Sequence, residues 1–466
     1  MATVDCSAPQ IMTNSSHHDT GGLAGHPKGM TTLFFTEMWE RFSYYGMRAL
    51  LVLYMVATPG QGGLGFSMKD ATGLYGVYTM MVYMGSIPGG MIADKILGAR
   101  LSVLIGGIII AAGHFSLAVK ELPFFYAGLV LIVVGTGLLK PNISTMLGGL
   151  YDANDTRRDA GFSIFYMGIN IGAAISPLVC GFLAQSVQFK GYLQSIGIDP
   201  NASWHFGFAA AGVGMLLGLV QFVMHGKRLG DVGAKPQARS KEEKAQVVEP
   251  LSTDEWKRLG AIGLLFFFEV LFWTVYEQGG TSLNLFADLL TRNEIFGMQF
   301  PSSWLQSVPA IFCIAMAPLF AAFWIKLGNK QPSSPAKFCY GLLFLSLGIG
   351  LMVPASMLSA DGRVSPLWLC SSYFFQVVGE MCLSPVGLST VTKLAPVRFA
   401  SSTMGIWFLA TAVASWIGGQ LSGFFDAKAT STLVWLFGSM AGAGLVATLI
   451  LFFLTPTIRK LMGKVH

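Results

Sequence analysis

The chain has 466 residues, of which 53% are apolar and only 12% are charged, about half the charged share of a typical soluble domain. A soluble protein of this length needs more polar surface to cover its core. Many stretches reach the roughly 20 apolar residues that a membrane-spanning helix requires. The composition therefore excludes a soluble globular protein and predicts an all-α membrane protein that spans the lipid bilayer many times and has no nucleic-acid partner.

The chain begins with a polar segment, residues 1–30, that lacks the apolar core and cleavage site of a secretory signal. We interpret it as a mobile cytoplasmic tail. Five of the six cysteines lie in or beside apolar spans without metal-ligand spacing, so we expect small buried side chains and no metal site.

Twelve apolar spans follow. The seventh is long, which suggests a tilted helix. The spans are 31–57, 72–93, 101–119, 124–148, 162–185, 206–225, 258–286, 304–326, 338–357, 366–392, 402–423 and 432–455.

Lysine and arginine predict the orientation of these spans. If the N-terminus is cytoplasmic, 21 of the 30 basic residues fall in inside segments or, for Arg258 and Lys326, at the cytoplasmic ends of spans; six fall outside and three lie in the interior of spans. Because cytoplasmic loops carry the excess of positive charge, we expect both termini in the cytoplasm. The expected location is the plasma membrane, or the inner membrane of a bacterial cell.

One polar stretch, 226–257, divides the chain into an N-terminal six-helix bundle, 31–225, and a C-terminal one, 258–455, followed by a cytoplasmic tail, 456–466. We interpret the stretch as a solvated cytoplasmic linker. It ends in a predicted capping box at Ser252 and Glu255. Two six-helix bundles joined in this way resemble the major facilitator fold, whose site lies between the halves.

Apart from Arg258 and Lys326 at the end positions of their spans, eight charged residues fall inside the spans, five of them acids and three of them bases. A charge at a helix centre costs at least about 2.5–3.5 kcal/mol, and burial favours the neutral form of a carboxyl group. The excess of acids therefore predicts that one or more of them holds a proton. The eight are Glu37, Glu40, Arg41, Arg48, Lys140, Glu269, Glu277 and Glu380.

The first span concentrates these charges on one helix face. Its polar residues cover an arc of about 140°, on which Glu37 and Arg41 are spaced to pair. The alternative is an ion-pair seam between helices without a transport role, although apolar packing would join helices at lower cost. The residues on this face are Glu37, Glu40, Arg41, Tyr44, Tyr45 and Arg48.

The same residues form the sequence Glu37-Met-Trp-Glu40-Arg41-Phe42-Ser-Tyr44-Tyr45-Gly-Met-Arg48, which resembles the E-x-x-E-R-F-x-Y-Y-x-x-R signature of the proton-dependent oligopeptide transporter (POT/PTR) family. The resemblance extends over residues 27–455. Further matching segments are Gly135–Asn142, Phe165–Gly172, Phe272–Gln278, Gly379–Gly387 and Trp407–Thr411.

The resemblance implies a proton-coupled symporter that imports di- and tripeptides by alternating access, with protons as the coupling ion and no other cofactor. It implies proton coupling at Glu37, Glu40, Arg41 and Glu277. It implies two ion pairs across the halves, Arg48 with Glu277 and Lys140 with Glu380. The implied peptide-binding residues are Arg48 and Lys140 for the carboxylate, Glu380 and Asn170 for the amine, and Tyr44, Tyr45, Tyr83, Asn142, Trp273, Trp407 and Thr411 for the wall.

The sequence departs from the family in several places. It has no apolar run for two extra helices in 226–257, and only 358–365 separates spans nine and ten. Gly76 stands where mammalian members have a histidine, and Pro309 where many members have an asparagine. We expect Glu269 to pair with a neighbouring helix or to reach lipid headgroups, and His114 to be structural.

Two other classes of function remain as alternatives. A transporter of a small anion such as nitrate would not need the carboxylate of Glu380, whereas a zwitterionic peptide needs both signs of charge. A membrane-embedded enzyme would need a Ser/His/Asp set, a metal cluster or a phosphate-binding loop, and none is found. We therefore expect a transporter rather than an enzyme, receptor or channel, functional as a monomer.

Overall fold

The computed structural model describes residues 19–152, 155–236, 251–295, 297–396 and 400–463. These residues form sixteen α-helices and one short hairpin, β1 (Glu294–Ile295) paired with β2 (Met298–Gln299). The helices are α1 (Lys28–Val56), α2 (Met68–Met84), α3 (Ser86–Ile92), α4 (Ala99–Leu117), α5 (Leu122–Gly148), α6 (Arg158–Gln185), α7 (Val187–Ser195), α8 (Ser203–Met224), α9 (Thr253–Tyr276), α10 (Ser282–Leu289), α11 (Val308–Leu327), α12 (Ser334–Gly350), α13 (Met352–Leu358), α14 (Leu367–Leu394), α15 (Ala400–Ser422) and α16 (Thr430–Met462).

The helices account for the twelve predicted spans, and three of these spans are broken. The second consists of α2 and α3, and the ninth of α12 and α13. The long seventh span, interpreted above as tilted, is divided between α9 and α10 by the 3₁₀ turn Glu277–Gly280. Within the described residues, ten helical segments are long and apolar enough to cross a membrane. α1 and the pair α2–α3 complete the twelve, and α1 is less apolar because it carries the buried charges.

The outer surface of the bundle is apolar. Ile325 is 79% exposed, Phe453 is 75% exposed and Leu319 is 67% exposed. Contiguous apolar surface of this kind would be a liability in water, whereas lipid tails cover it without cost. The fold is therefore an all-α membrane protein with two six-helix bundles.

Each bundle is held by close packing between its own helices. In the first, α1 packs against α6 and α8, and α4 packs against α5. In the second, α12 packs against α14 and α16. The two bundles meet where α2 contacts α15 and where α6 contacts α11.

The two bundles touch on the side away from the chain termini, which we call the far face. There Gln185 of α6 donates to Asp288 at 3.3 Å and to Ser302 at 3.0 Å, and Ser302 donates to Asp288 at 2.6 Å. Trp304 Nε1 donates to the carbonyl of Leu178 at 3.0 Å. Among the described residues, every side-chain hydrogen bond between the bundles lies at mid-membrane or on this side. The molecule is thus closed at the far face.

Glycines allow α2 and α15 to approach each other closely. A Cβ atom at Gly419 would lie 2.6 Å from the carbonyl oxygen of Thr72 and 2.7 Å from the Cα of Gly76. A Cβ atom at Gly76 would lie 2.9 Å from the carbonyl oxygen of Ser415. No side chain fits at position 76 without separating the helices, which explains why a histidine cannot occupy it in this packing.

The polar segments at the ends of the bundles are more ordered than expected. Two carbonyl groups of the N-terminal tail, those of Asp19 and Gly25, accept hydrogen bonds from the side chain of Arg157, just before α6, at 3.4 and 3.1 Å. The Asp19 carboxylate accepts a hydrogen bond from the backbone N–H of Lys28 at 2.9 Å, which lowers the pKa of Asp19. The part of the tail that is described is therefore docked rather than mobile.

The linker and the C-terminal tail also differ in part from the prediction. Arg100 donates to the carbonyl of Gly226 at 2.5 Å and of Gly230 at 3.2 Å, and Leu229 is buried. The start of the linker is thus packed on the first bundle, while 237–250 lie outside the described residues. The predicted capping box at Ser252 is present, and α16 continues to Met462 where a tail was expected.

We predict that Gly419→Ala lowers the unfolding temperature of the purified protein. The added methyl group must push α2 and α15 apart, and overpacking of this kind costs about 1–3 kcal/mol. Gly442→Ala is the matched control, since a Cβ atom at Gly442, in α16, meets nothing within 4 Å. Thermal unfolding in detergent measures both, and equal unfolding temperatures would contradict the close contact.

Candidate functional site

The polar face of α1 carries two carboxylates and one guanidinium in close contact. Arg41 Nε lies 3.1 Å from Glu37 Oε1 and also pairs with Glu40. The side chains of all three are at most 5% exposed, so the predicted pairing of Glu37 with Arg41 is present. One cation faces two anions, which leaves an excess negative charge in a medium of low dielectric. A proton bound by either carboxylate would cancel that excess.

A second ion pair joins the two bundles near the middle of the membrane. Arg48, on α1, donates to Glu277, in the turn after α9, as predicted. Arg48 also donates to the hydroxyl of Tyr75 on α2. A Cβ atom at Gly280 would lie 2.0 Å from that hydroxyl and 3.0 Å from Arg48 Nε. Only glycine at position 280 leaves room for this arrangement.

Aromatic rings surround the two arginines. The Arg41 guanidinium lies 5.3 Å from the ring centroid of Tyr44. The Arg48 guanidinium lies 6.0 Å from the centroid of Tyr45 and 5.6 Å from that of Tyr75. Such contacts stabilise a cation by about 0.5–2 kcal/mol. The predicted wall residues of α1 are therefore beside the charges, where they restrict the orientation of both guanidiniums.

Lys140 does not form the ion pair expected for it. Its Nζ lies 4.1 Å above the ring of Tyr83, and no carboxylate among the described residues is within ion-pair distance of it. It interacts electrostatically with Glu37, Glu40 and Arg41. The predicted pair with Glu380 is therefore wrong for this conformation, because the far-face closure brings Arg48 and Glu277 together but not these two side chains.

Glu380 is instead held within the second bundle. It accepts a hydrogen bond from the hydroxyl of Tyr276 and one from Cys313 Sγ at 3.6 Å. It is 8% exposed. A buried carboxylate whose hydrogen-bond partners in the described chain are neutral donors can accept an additional cationic partner.

The two predicted asparagines use their donors locally. Asn142 Nδ2 donates to the carbonyl of Leu138 at 2.7 Å, and Asn170 Nδ2 donates to that of Tyr166 at 3.0 Å. Each bond returns to the same helix one turn earlier. Each bond uses one of the two N–H groups of the amide, so the second N–H and the amide oxygen of each side chain remain for a ligand.

The remaining wall residues lie on α9 and α15. Trp407 is buried with its ring 6.3 Å from that of Phe338, and Thr411, one turn later, is also buried. Trp273 is half-buried, and its indole Nε1 donates to Glu269 Oε1 at 2.7 Å. The expectation that Glu269 pairs with a neighbouring helix or reaches lipid headgroups is therefore wrong, because this carboxylate is buried and bonded within its own helix.

Pro309 and His114 are the two remaining residues that the sequence analysis singled out. Pro309 lies in the first turn of α11, where its missing N–H leaves no helical bond unmade. The adjacent Gln306 donates to the carbonyl of Gly279 at 2.8 Å and to the hydroxyl of Tyr373 at 3.2 Å. His114 is fully buried in α4, and neither ring nitrogen has a hydrogen-bond partner among the described residues.

Sequence reasoning did not assign a role to Tyr75, Tyr276 or Cys313. Tyr276 directly precedes Glu277 in the matching segment Phe272–Gln278, and this position in the sequence could have indicated a role for it. Tyr75 and Cys313 lie in otherwise ordinary apolar spans, and only the packing of helices brings them to the charges. The described residues contain no cluster of three or more His, Cys, Asp or Glu side chains that could hold a metal ion.

Comparison with known proteins identifies a family and a set of relatives. A sequence model of the POT family matches residues 100–248 and 234–436. The chain is 41% identical to the uncharacterized transporter YclF of Bacillus subtilis (strain 168), over 95% of the chain and 96% of that protein. It is 35% identical to a di-/tripeptide transporter of Lactococcus lactis subsp. cremoris, over 95% of the chain and 98% of that protein.

Solved structures agree with the sequence comparison. The crystal structure of a mutant peptide transporter POT in complex with alafosfalin superposes with a TM-score of 0.86. The two chains are 40% identical, and the match covers 96% of this chain and 98% of the other. The likeness thus extends over nearly the full length of both proteins.

We predict that Gly280→Ala disrupts the contact among Arg48, Tyr75 and Glu277. The new methyl group occupies the space of the tyrosine hydroxyl, so the variant should lose about 1–3 kcal/mol of stability through overpacking. Gly279→Ala is the matched control, because a Cβ atom at Gly279 has as its nearest neighbour Tyr373, at 4.0 Å. Thermal unfolding of both variants tests this, and a Gly280→Ala protein as stable as the control would refute it.

Proposed function

The chain belongs to the POT family of multi-pass membrane transporters, and on that premise we propose that it is a proton-coupled symporter that imports di- and tripeptides by alternating access. The observation that carries the proposal is the division of charge between the bundles. The first bundle contributes Arg48 and Lys140, and the second contributes Glu277 and Glu380. A short peptide is a zwitterion, so a site between the bundles with both signs of charge suits its two ends.

The carboxylate of the peptide would bind to Arg48 and Lys140. Arginine can hold a carboxylate through two parallel hydrogen bonds, and Lys140 has an ammonium group that is bonded to no carboxylate of the described chain. The amine of the peptide would bind to Glu380, with the amide oxygen of Asn170 nearby. The rings of Tyr44, Tyr45, Tyr83, Trp273 and Trp407, together with Asn142 and Thr411, would form a wall tolerant of different side chains.

Proton coupling would act through the Arg48–Glu277 pair. A proton on Glu277 removes its charge and frees Arg48 to bind the peptide carboxylate. Since the same pair joins the two bundles, its release also weakens the closure between them. Proton and peptide would then bias one two-state equilibrium, which is the requirement for coupling.

The cluster of Glu37, Glu40 and Arg41 would supply a second place for a proton. Its excess negative charge lies in the first bundle, close to Lys140. A proton taken up there changes the charge seen by Lys140 and hence its affinity for a carboxylate. In this scheme the cluster and Glu277 together link proton entry to peptide binding.

The direction of transport depends on the orientation in the membrane. The distribution of lysine and arginine supports cytoplasmic termini, and the membership in a family of multi-pass transporters supports a plasma-membrane location. The far face would then be the outer face, and the conformation described would be one that is closed to the outside. The bundles of one chain provide both halves of the site, which supports function as a monomer.

We predict that Glu277→Gln abolishes the accumulation of a dipeptide driven by a proton gradient while retaining exchange of peptide. Glutamine keeps the shape of the side chain but cannot change charge. Uptake and counterflow by proteoliposomes measure the two activities in one preparation. Glu294→Gln, on the exposed hairpin, should behave as the parent, and concentrative uptake by Glu277→Gln would remove this residue from the coupling mechanism.

We predict that amidation of the peptide C-terminus weakens binding by about 10- to 100-fold, because one charged hydrogen bond contributes about 1.5–3 kcal/mol. Competition between free and amidated dialanine against a labelled dipeptide measures the ratio. Lys140→Met should reduce that ratio, whereas Lys428→Met, at an exposed position near the far face, should leave it unchanged. Equal competition by the two peptides in the parent protein would show that the carboxylate is not recognised.

A further inference from the structure

Glu269 is a buried acid that the proposed transport mechanism does not use. It lies on α9, two turns before Glu277, and is 4% exposed. Its Oε1 atom accepts the hydrogen bond from Trp273 Nε1, but Oε2 is buried and has no hydrogen-bond partner within the described chain. A buried carboxylate oxygen without a partner costs about 1–3 kcal/mol or more. The side chain therefore has capacity for one additional donor.

The binding of the indole does not by itself explain a charged residue at this position. A glutamine would offer the same carbonyl oxygen to Trp273 Nε1, and its amide would avoid much of the cost of burying a charge. Compared with a glutamine, a carboxylate gives this position a much stronger affinity for positively charged groups. A cation is the ligand that distinguishes between the two.

The surroundings of Glu269 fit such a cation. The rings of Trp273 and Tyr276 are 5.1 Å apart in an edge-to-face arrangement, and Tyr276 donates to Glu380. Glu269 and Glu380 are close enough to interact electrostatically. Among the described residues, neither has a lysine, arginine or histidine within ion-pair distance. This part of the second bundle thus contains two carboxylates, separated by aromatic rings and lacking a cation.

We propose that Glu269 is a specificity-determining residue that binds the ammonium or guanidinium group of a lysine or arginine side chain in the transported peptide. This inference rests on the proposed function, in which Glu380 already holds the peptide amine. A dipeptide with a cationic side chain has a second positive group, and Oε2 of Glu269 is the acceptor available to it. The methylene stem would pack on Trp273 and Tyr276, whose faces also favour a cation.

The test compares peptides that differ only in the charged group. Ala-Lys and Ala-norleucine have side chains of similar length and apolar stem, and both compete with labelled Ala-Ala in a counterflow assay with proteoliposomes. The parent protein should bind Ala-Lys about tenfold more tightly than Ala-norleucine, as expected for one charged hydrogen bond. The ratio of the two inhibition constants is the readout, so that a general change in activity or protein yield does not alter it.

Two variants separate the charge from the indole contact. Glu269→Gln retains an acceptor for Trp273 and removes the charge, and the ratio should fall to near one. Glu269→Leu removes both and should give the same low ratio. Glu294→Gln, on the exposed hairpin, removes a charge far from the site and should preserve the parental ratio.

The outcomes distinguish this inference from the function on which it rests. Ala-Ala counterflow without a preference for Ala-Lys supports the proposed function and overturns the role of Glu269. A preference that persists in Glu269→Gln also overturns it, because the cation must then bind elsewhere. Absence of any counterflow with Ala-Ala would overturn the proposed function and this inference together.

Discussion

The buried ion pair between Arg48 and Glu277 is the contact on which the arrangement of the two bundles depends. Both groups are removed from water at mid-membrane, where separating them would leave two uncompensated charges at a cost of several kcal/mol. The surrounding structure is adapted to the pair, since Tyr75 accepts a hydrogen bond from the guanidinium and Gly280 leaves the space for it. A contact so costly to break without a substitute suits a switch, and in the proposed mechanism the substitutes are a proton and a peptide carboxylate.

The other charges are organised around that pair by bundle. The first bundle contains the cluster of Glu37, Glu40 and Arg41 together with Lys140. The ammonium group of Lys140 lies over the ring of Tyr83 and contacts no carboxylate of the described chain. The second bundle contains Glu269 and Glu380, whose hydrogen-bond donors among the described residues are neutral. Charge is therefore incompletely neutralised on both sides of the interface, and ligands that carry charge can complete it.

The closed far face depends on small residues as much as on polar ones. Gly76 and Gly419 let α2 and α15 approach to backbone contact, which is how membrane helices gain packing energy in the absence of a hydrophobic driving force. Gln185, Asp288 and Ser302 then add hydrogen bonds between the bundles at the same face. Both kinds of contact are short-ranged, so they are lost together when the bundles separate.

The sequence by itself determined the number and place of the twelve spans, because the bilayer imposes a length and an apolar composition that can be read along the chain. It also determined the polar face of α1 and the pairing of Glu37 with Arg41, since both follow from helical periodicity. The family resemblance implied two ion pairs across the bundles, and only the tertiary structure decided between them: Arg48 contacts Glu277, but Lys140 lies on Tyr83 and Glu380 bonds to Tyr276. Contacts between distant segments depend on how whole helices pack and on which face is closed, and no local pattern in the sequence encodes that choice.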